Sequence, residues 1–215
     1  MYWTKTPNFI QNLFPNYTWK VNSSKKDIYI TFDDGPIPEV TPWVIETLKQ
    51  YNAKASFFCV GDNVNKHPEI YQQLIDNNHT IGNHTFNHLN GWNTDNISYF
   101  HNVRKCASIV KSDLFRPPYG KLKPKQAQFL SRHYKIIMWD VLSGDFDRNL
   151  SANECYEKVI RSTKNGSIIV FHDSLKAFEK LKIVLPKTLE YFSNLGYTFK
   201  ALESQNVFSK ELRTA

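Results

Sequence analysis

Past residue 26 the chain alternates between two hydrophobic rhythms. Short runs rich in β-branched and aromatic residues lie at 27–33 (DIYITFD), 53–60 (AKASFFCV), 79–84 (HTIGNH), 114–117 (LFRP), 134–141 (YKIIMWDV), 167–172 (SIIVFH) and 197–202 (YTFKAL). Between them, apolar positions recur at helical spacing near 39–51, 67–77, 95–111, 124–133, 151–164 and 180–194. Strand and helix in alternation predict a parallel sheet with helices outside it. The runs at 53–60 and 167–172 are apolar on both faces, as doubly covered strands are. Ser151 followed by Glu154 makes a capping box, and Pro68 and Pro124 suit first helical turns. A seven- or eight-unit barrel and an open doubly wound sheet both fit this pattern.

Residues 1–26 stand outside the rhythm, as an N-terminal extension. Pro7 can open a short amphipathic helix carrying Phe9, Ile10, Leu13 and Phe14 on one side and stopping at Pro15. The expectation is that this helix packs on the domain. Its aromatic flanks, and the lack of any acidic residue before Asp27, also suit peripheral membrane or envelope association. No signal peptide and no spanning segment stand out, so a cytoplasmic location is the default and an envelope location the alternative. The expected plan is an extension over 1–26, one domain over 27–202 and a tail over 203–215.

Composition narrows the class. A chain of 215 residues, 41% hydrophobic and 22% charged, is one globular domain and no disordered, collagen-like or coiled-coil protein. Lys plus Arg is 27 against 20 acidic residues, a net +7 spread along the chain. That spread reads as a solvated basic surface, with no arm or stripe for nucleic acid, which is not an expected partner. The expected state is a monomer. Cys59, Cys106 and Cys155 are odd in number and far apart, so they indicate neither a disulfide framework nor a thiolate metal site.

The chemistry gathers at strand ends. Asp33-Asp34-Gly35-Pro36, His84 with His88, Arg116-Pro117-Pro118-Tyr119-Gly120, Asp145-Phe146 and His172-Asp173 all follow strands, at the end where parallel α/β folds build their sites. Adjacent carboxylates in a regular strand face opposite ways, but Gly35-Pro36 ends the strand and lets both turn to one rim. Their mutual repulsion is relieved if a dication ligates one of them. Histidines four apart converge on one metal in the HExxH helix, and with a carboxylate they leave open positions for water. A two-His, one-carboxylate set also suits non-haem iron, but that leaves Asp33 and His172 without a task. His67, His79, His101 and His133 have no such company and read as structural.

These motifs together resemble the NodB-type polysaccharide deacetylases, carbohydrate esterase family four. The residues that carry the resemblance are Thr31-Phe-Asp-Asp-Gly-Pro36, His84-Thr-x-x-His88, Arg116-Pro-Pro-Tyr-Gly120 and Val170-Phe-His-Asp173. The resemblance implies an α/β fold, a distorted (β/α) barrel of about seven parallel strands in a single domain. It implies a metal-dependent hydrolase that removes N-acetyl groups from the amino sugars of a chitin-like or peptidoglycan-like glycan. By the same resemblance Asp33 is the catalytic base and His172 the general acid. Asp34, His84 and His88 hold the metal, most simply Zn2+, with Co2+ or Ni2+ as substitutes. Arg116 stands near Asp33, Asp145 holds Arg116, and the Tyr119 N–H serves an oxyanion hole. Pro117, Tyr119, Phe146 and Val170 line the substrate pocket. The family usually has Trp at the position of Phe146 and commonly Leu at Val170, and both changes stay apolar. Competing readings are an O-acetyl esterase or cyclic amide hydrolase, and a non-enzymatic basic domain binding an anionic polymer.

Overall fold

The computed structural model describes residues 3–204, so beyond Ser204 the expected tail lies outside the described residues. The strands are β1 (Asp27–Asp33), β2 (Ser56–Cys59), β3 (Thr80–Asn83), β4 (Leu114–Phe115), β5 (Lys135–Ile136), β6 (Val141–Leu142), β7 (Ile168–His172) and β8 (Thr198–Phe199). The helices are α1 (Asn8–Leu13), α2 (Thr41–Gln50), α3 (Gly61–Lys66), α4 (Pro68–Asp76), α5 (Asn96–Ala107), α6 (Pro124–Leu130), α7 (Ala152–Ser162) and α8 (Leu175–Asn194). All strand pairs are parallel, in the order β5-β4-β3-β2-β1-β7-β6, with β8 pairing to the start of β1.

Register sorts the side chains into two layers. Thr31 pairs with Ser56 and Val170, and Asp33 pairs with Phe58 and His172. Alternation sends Ile28, Ile30, Phe32, Phe57 and Phe171 outward, into the main core beneath the helices. Tyr29, Phe58, Leu114 and Ile168 point the other way and form a second cluster inside the curl. Asp33 and His172 share that inner parity, at its open end.

The sheet curls so that its two end strands are joined by a short stretch of chain. β5 and β6 sit at opposite ends of the strand order, yet Ile136 and Val141 are five residue steps apart, which spans at most about 17 Å. The predicted single strand over 134–141 is therefore corrected to two. Ile137 N still donates to Phe115 O on the β4 side, while Asp140 N donates to Ile168 O on the β7 side. Met138 and Trp139 make the crossing. This irregular seam is what distorts the barrel of parallel strands.

The extension covers the seam by backbone pairing. Thr6 N donates to Asp140 O, Leu142 N to Thr4 O, Thr18 N to Ile136 O, Met138 N to Thr18 O and Val21 N to Gly166 O. Lys5 pairs with the buried Asp140, which also accepts from Ser167 Oγ and Ile168 N. Trp19 is buried with Tyr99, Phe115 and Met138. The expected packing of the α1 face holds only in part: Ile10 packs against this cluster, but no residue of α1 is fully buried, and Phe9 and Leu13 are 64% and 67% exposed. Main-chain pairing and Trp19, more than the helix, anchor this segment.

Two further elements differ from expectation. α3 was not predicted, because six residues with only Gly61 and Val64 buried carry no readable period. α8 begins at Leu175 rather than 180 and runs through Pro186. The Ser151–Glu154 capping box forms as expected. Among the described residues no helix is long and apolar enough to cross a membrane.

Candidate active site

Arg116 organises the floor of the site. Its guanidinium is fully buried, lying 4.0 Å over the Phe58 ring. Nη1 donates to Asp33 Oδ1 and to Thr31 Oγ1, both at 2.7 Å. Nε and Nη2 donate to Ile137 O and Met138 O, carbonyls of the seam. The irregular strand thus supplies acceptors that a regular ladder would have consumed, and Arg116 in turn fixes Asp33. With Oδ1 committed to Arg116, Oδ2 of Asp33 is left facing His84 Nε2 at 4.0 Å.

Asp34 follows at φ 86, a left-handed conformation that turns it off the strand. Gly35 makes this turn possible: a Cβ there would lie 1.9 Å from Asp173 Oδ2. Asp173 accepts from Gly35 N at 3.0 Å and from Thr41 Oγ1 at 2.6 Å. Burial pushes the Asp173 carboxyl up to about 8, against those two hydrogen bonds. From α3, Asn63 Nδ2 donates to Asp34 O at 2.7 Å.

His84 and His88 meet Asp34, though not on a helix. Thr85 and His88 have φ of 64 and 54, so a loop with two left-handed residues brings the imidazoles together. Asp34 Oδ1 lies 3.2 Å from His88 Nε2 and 3.9 Å from His84 Nε2, and the three ligand atoms fall within 4.8 Å of one another. Ligands about 2.1 Å from one tetrahedral ion stand about 3.4 Å apart, so the spacing fits. The donor chemistry fits too. His84 Nδ1 donates to Arg116 O at 2.7 Å, which puts the lone pair on Nε2, and burial lowers its pKa to about 4 and keeps it neutral. Burial works to raise the Asp34 carboxyl, but the His88 hydrogen bond and the surrounding histidines outweigh it and hold it below the usual carboxylate range. Asp34 and His88 open onto a cavity of about 320 Å³.

Asp145 is corrected. It does not hold Arg116: Oδ1 accepts from His172 Nδ1 at 2.8 Å and Oδ2 from His172 N at 2.8 Å. Asp33 and the seam carbonyls already occupy Arg116, and the β6–α7 loop aims Asp145 at the end of β7. Burial would lower the His172 pKa, but Asp145 and then Asp34 and Asp33 raise it to about 9. The Phe146 ring packs edge-on against His172, with centroids 5.0 Å apart.

The sequence profile for polysaccharide deacetylase matches residues 20–134. The chain belongs to the polysaccharide deacetylase family. It is a hydrolase of carbon–nitrogen bonds other than peptide bonds. A peptidoglycan-N-acetylglucosamine deacetylase of Bacillus cereus is 30% identical over 203 residues, covering 91% of this chain and 74% of that one. A chitooligosaccharide deacetylase of Azorhizobium caulinodans is 32% identical over 162 residues, 72% of this chain and 77% of that one. A crystal structure of a peptidoglycan N-acetylglucosamine deacetylase superposes with a TM-score of 0.84 at 29% identity, covering 92% and 95% of the two chains.

The other positions expected in this deacetylase fall around the rim. Tyr119 sits at φ 61 with its ring 4.7 Å from that of His88 and 61% exposed. Pro117 is buried, and its carbonyl accepts from Gly120 N. Val170 is buried two residues before His172 on the same face. Thr31, Phe58, Asn63 and Asp173 went unassigned in the sequence. Thr31 was readable, since alternation puts it beside Asp33; the other three act through contacts between distant segments.

Proposed function

We propose that this chain is a metal-dependent N-deacetylase of amino-sugar residues in a glycan, with peptidoglycan strands as the substrate class. The observation that carries the reading is the convergence of Asp33, Asp34, His84, His88 and His172 on one rim, with Asp33 and His172 each held by its own buried partner. The relatives named for peptidoglycan and for chitooligosaccharides share one bond type, the acetamide of an amino sugar, which supports that choice. A net +7 favours approach to anionic envelope polymers.

Asp34, His84 and His88 would hold a divalent ion. Bound there, Zn2+ or a similar ion supplies Lewis acidity for both the attacking water and the acetyl oxygen. Asp33 Oδ2 takes the proton from the attacking water, with Oδ1 kept in place by Arg116. In the turn after β4, Pro117 and Pro118 have no N–H, and Gly120 and Lys121 spend theirs on Pro117 O and Pro118 O. The Tyr119 N–H is then the donor left for the developing oxyanion. His172, kept protonated by Asp145, gives its proton to the departing nitrogen. An amide needs that step more than an ester does, which favours N- over O-deacetylation. Phe146 and Val170 close the acetyl side of the pocket.

Acetate release from N-acetylated glycans tests this. Chelator abolishes it and added Zn2+ or Co2+ restores it, while Asp33→Asn retains metal and loses about 100-fold or more in turnover. Full release in excess chelator, or normal turnover by Asp33→Asn, overturns the reading.

A further inference from the structure

Between the N-terminal extension and α6 lies a cavity of about 700 Å³, apart from the catalytic rim, to which the reaction gives no task. Leu13 and Phe14 line one side of it and Trp92 the other. Trp92 is 58% exposed and Phe14 42%. In α1, Phe9 is one turn from Leu13 and shares its face. Trp3, also exposed, packs edge-on against Phe9 with ring centroids 6.1 Å apart. Single exposed hydrophobics are ordinary, but a run of them such as this marks an interaction surface.

Trp92 is held at the surface by design of its loop. Its Nε1 donates to Leu122 O at 3.1 Å, so the polar edge of the indole is satisfied. Gln126 Nε2 donates to Gly91 O at 3.0 Å and Lys123 Nζ to Thr94 O at 2.7 Å, so the α6 segment grips the loop on both sides of the ring.

The charge around this run has one sign. Residues 1–26 and 114–139, which supply both the extension and α6, contain no Asp or Glu. Lys5 and Lys135 are spent on Asp140 and Asp113, but Lys121, Lys123 and Lys125 make no ion pair among the described residues. The Lys121 ammonium stands 5.0 Å over the Trp92 ring, and Lys123 lines the cavity. Asp95, on the Trp92 loop, is committed to capping α5 at Ser98 N. Large apolar side chains rimmed by unpaired ammonium groups match the boundary of a bilayer, where the former enter among the acyl chains and the latter lie among phosphates. A second copy of this chain would set two basic surfaces against each other. A soluble polyanion would leave the aromatic side chains in water.

We propose that this face docks on the surface of an anionic lipid bilayer. It gives the extension a task besides bracing the seam, and it does not depend on the deacetylase reading.

Co-sedimentation of the full chain with lipid vesicles tests it. Vesicles of phosphatidylcholine and phosphatidylglycerol in equal parts should bind about 10-fold or more tightly than phosphatidylcholine alone, and added salt should weaken that binding. Trp92→Ala and, from the opposite wall, Leu13→Asn should each weaken it about 10-fold, the scale of burying one large apolar side chain, while Trp92→Phe keeps it. Both side chains are exposed, so the variants should melt as the parent does. Lys121→Gln with Lys125→Gln should weaken it about 25-fold, about fivefold for each ammonium group near the surface. Lys158→Gln with Lys187→Gln, the same charge change on α7 and α8, should bind as the parent does. Equal binding to the two kinds of vesicle, or folded Trp92→Ala and Leu13→Asn variants that bind as the parent does, overturns the docking surface. So does a parent that dimerises in solution and is made monomeric by Leu13→Asn, or one that binds soluble polyglutamate as tightly as vesicles with no loss in Trp92→Ala. Failure of the deacetylase reading would show as absent acetate release and would leave these titrations unchanged.

Discussion

At His172 two forces oppose each other. Burial favours the neutral ring, and the Asp145 carboxylate at 2.8 Å favours the imidazolium, so the pKa stands at about 9. The unfolded value is about 6.5. The folded pKa is the higher one, so this pair's contribution to stability is full below about pH 6.5 and is lost as pH rises through about 9. The general acid proposed for the reaction is lost over the same upper limb. The kcat profile for acetate release should fall above pH 9, and Asp145→Asn should bring that limb down by about 1–3 pH units, the usual effect of one close charge. An unmoved limb removes His172 from the acid role. Asp173 makes a separate prediction. Asp173→Ala leaves Gly35 N and the Thr41 hydroxyl proton without their acceptor beneath Asp34, and metal affinity measured by competition should fall about 10–100-fold. Asp173→Asn keeps an acceptor for Gly35 N and should lose far less.

Among elements, β3 is placed by what it lacks. A Cβ on Gly82 would lie 2.4 Å from the Phe58 ring, and Phe58 is the surface on which Arg116 rests. Gly82→Ala should cost about 1–3 kcal/mol by denaturant titration, the range for overpacking. It should also lower kcat by tilting Arg116 and with it Asp33. Stability lost with kcat intact would separate Phe58 from the site. β1 was legible in the sequence, and Gly35-Pro36 marked where Asp34 leaves the strand; that Asp33 faces inward came only with the register against β2 and β7. The split of 134–141 was not legible. Both halves share one apolar rhythm, and their partners, β4 and β7, are chosen by the curl of the sheet, a non-local event. α3 was missed for want of length, although its Asn63 steadies Asp34.

On the scale of the whole molecule, the extension and the barrel seam form one unit. Residues 4–21 pair with β5, β6 and the start of β7, and Trp19 fills the space beside Phe115 and Met138. Trp19→Ala alone should cost about 3–5 kcal/mol. At about 2–4 °C per kcal/mol for a chain of this size, its melting temperature should drop by about 10 °C. Deleting residues 1–20 should do at least as much, and it should also lower kcat, because the extension braces Ile136, Met138, Trp139 and Asp140 of the same seam whose Ile137 and Met138 carbonyls hold Arg116. A truncated chain that melts as the parent does would show the seam forming without help.

Local order in the chain was enough for the alternation of strand and helix, the parallel sheet and the loading of chemistry onto strand ends, since these follow from side-chain period and from turn residues a few positions away. It also pointed to the cluster of Asp34, His84 and His88, because each sits beside its own strand end. Partnerships between distant segments came only with the folded barrel. Asp145 faces His172 and not Arg116, and Arg116 is held by the seam. The extension docks by its backbone, Trp19 and Ile10, and leaves Phe9 and Leu13 of its helix open. Each depends on which edge a strand finds when the sheet curls, and pairing across that curl leaves no mark on the spacing of residues along the chain.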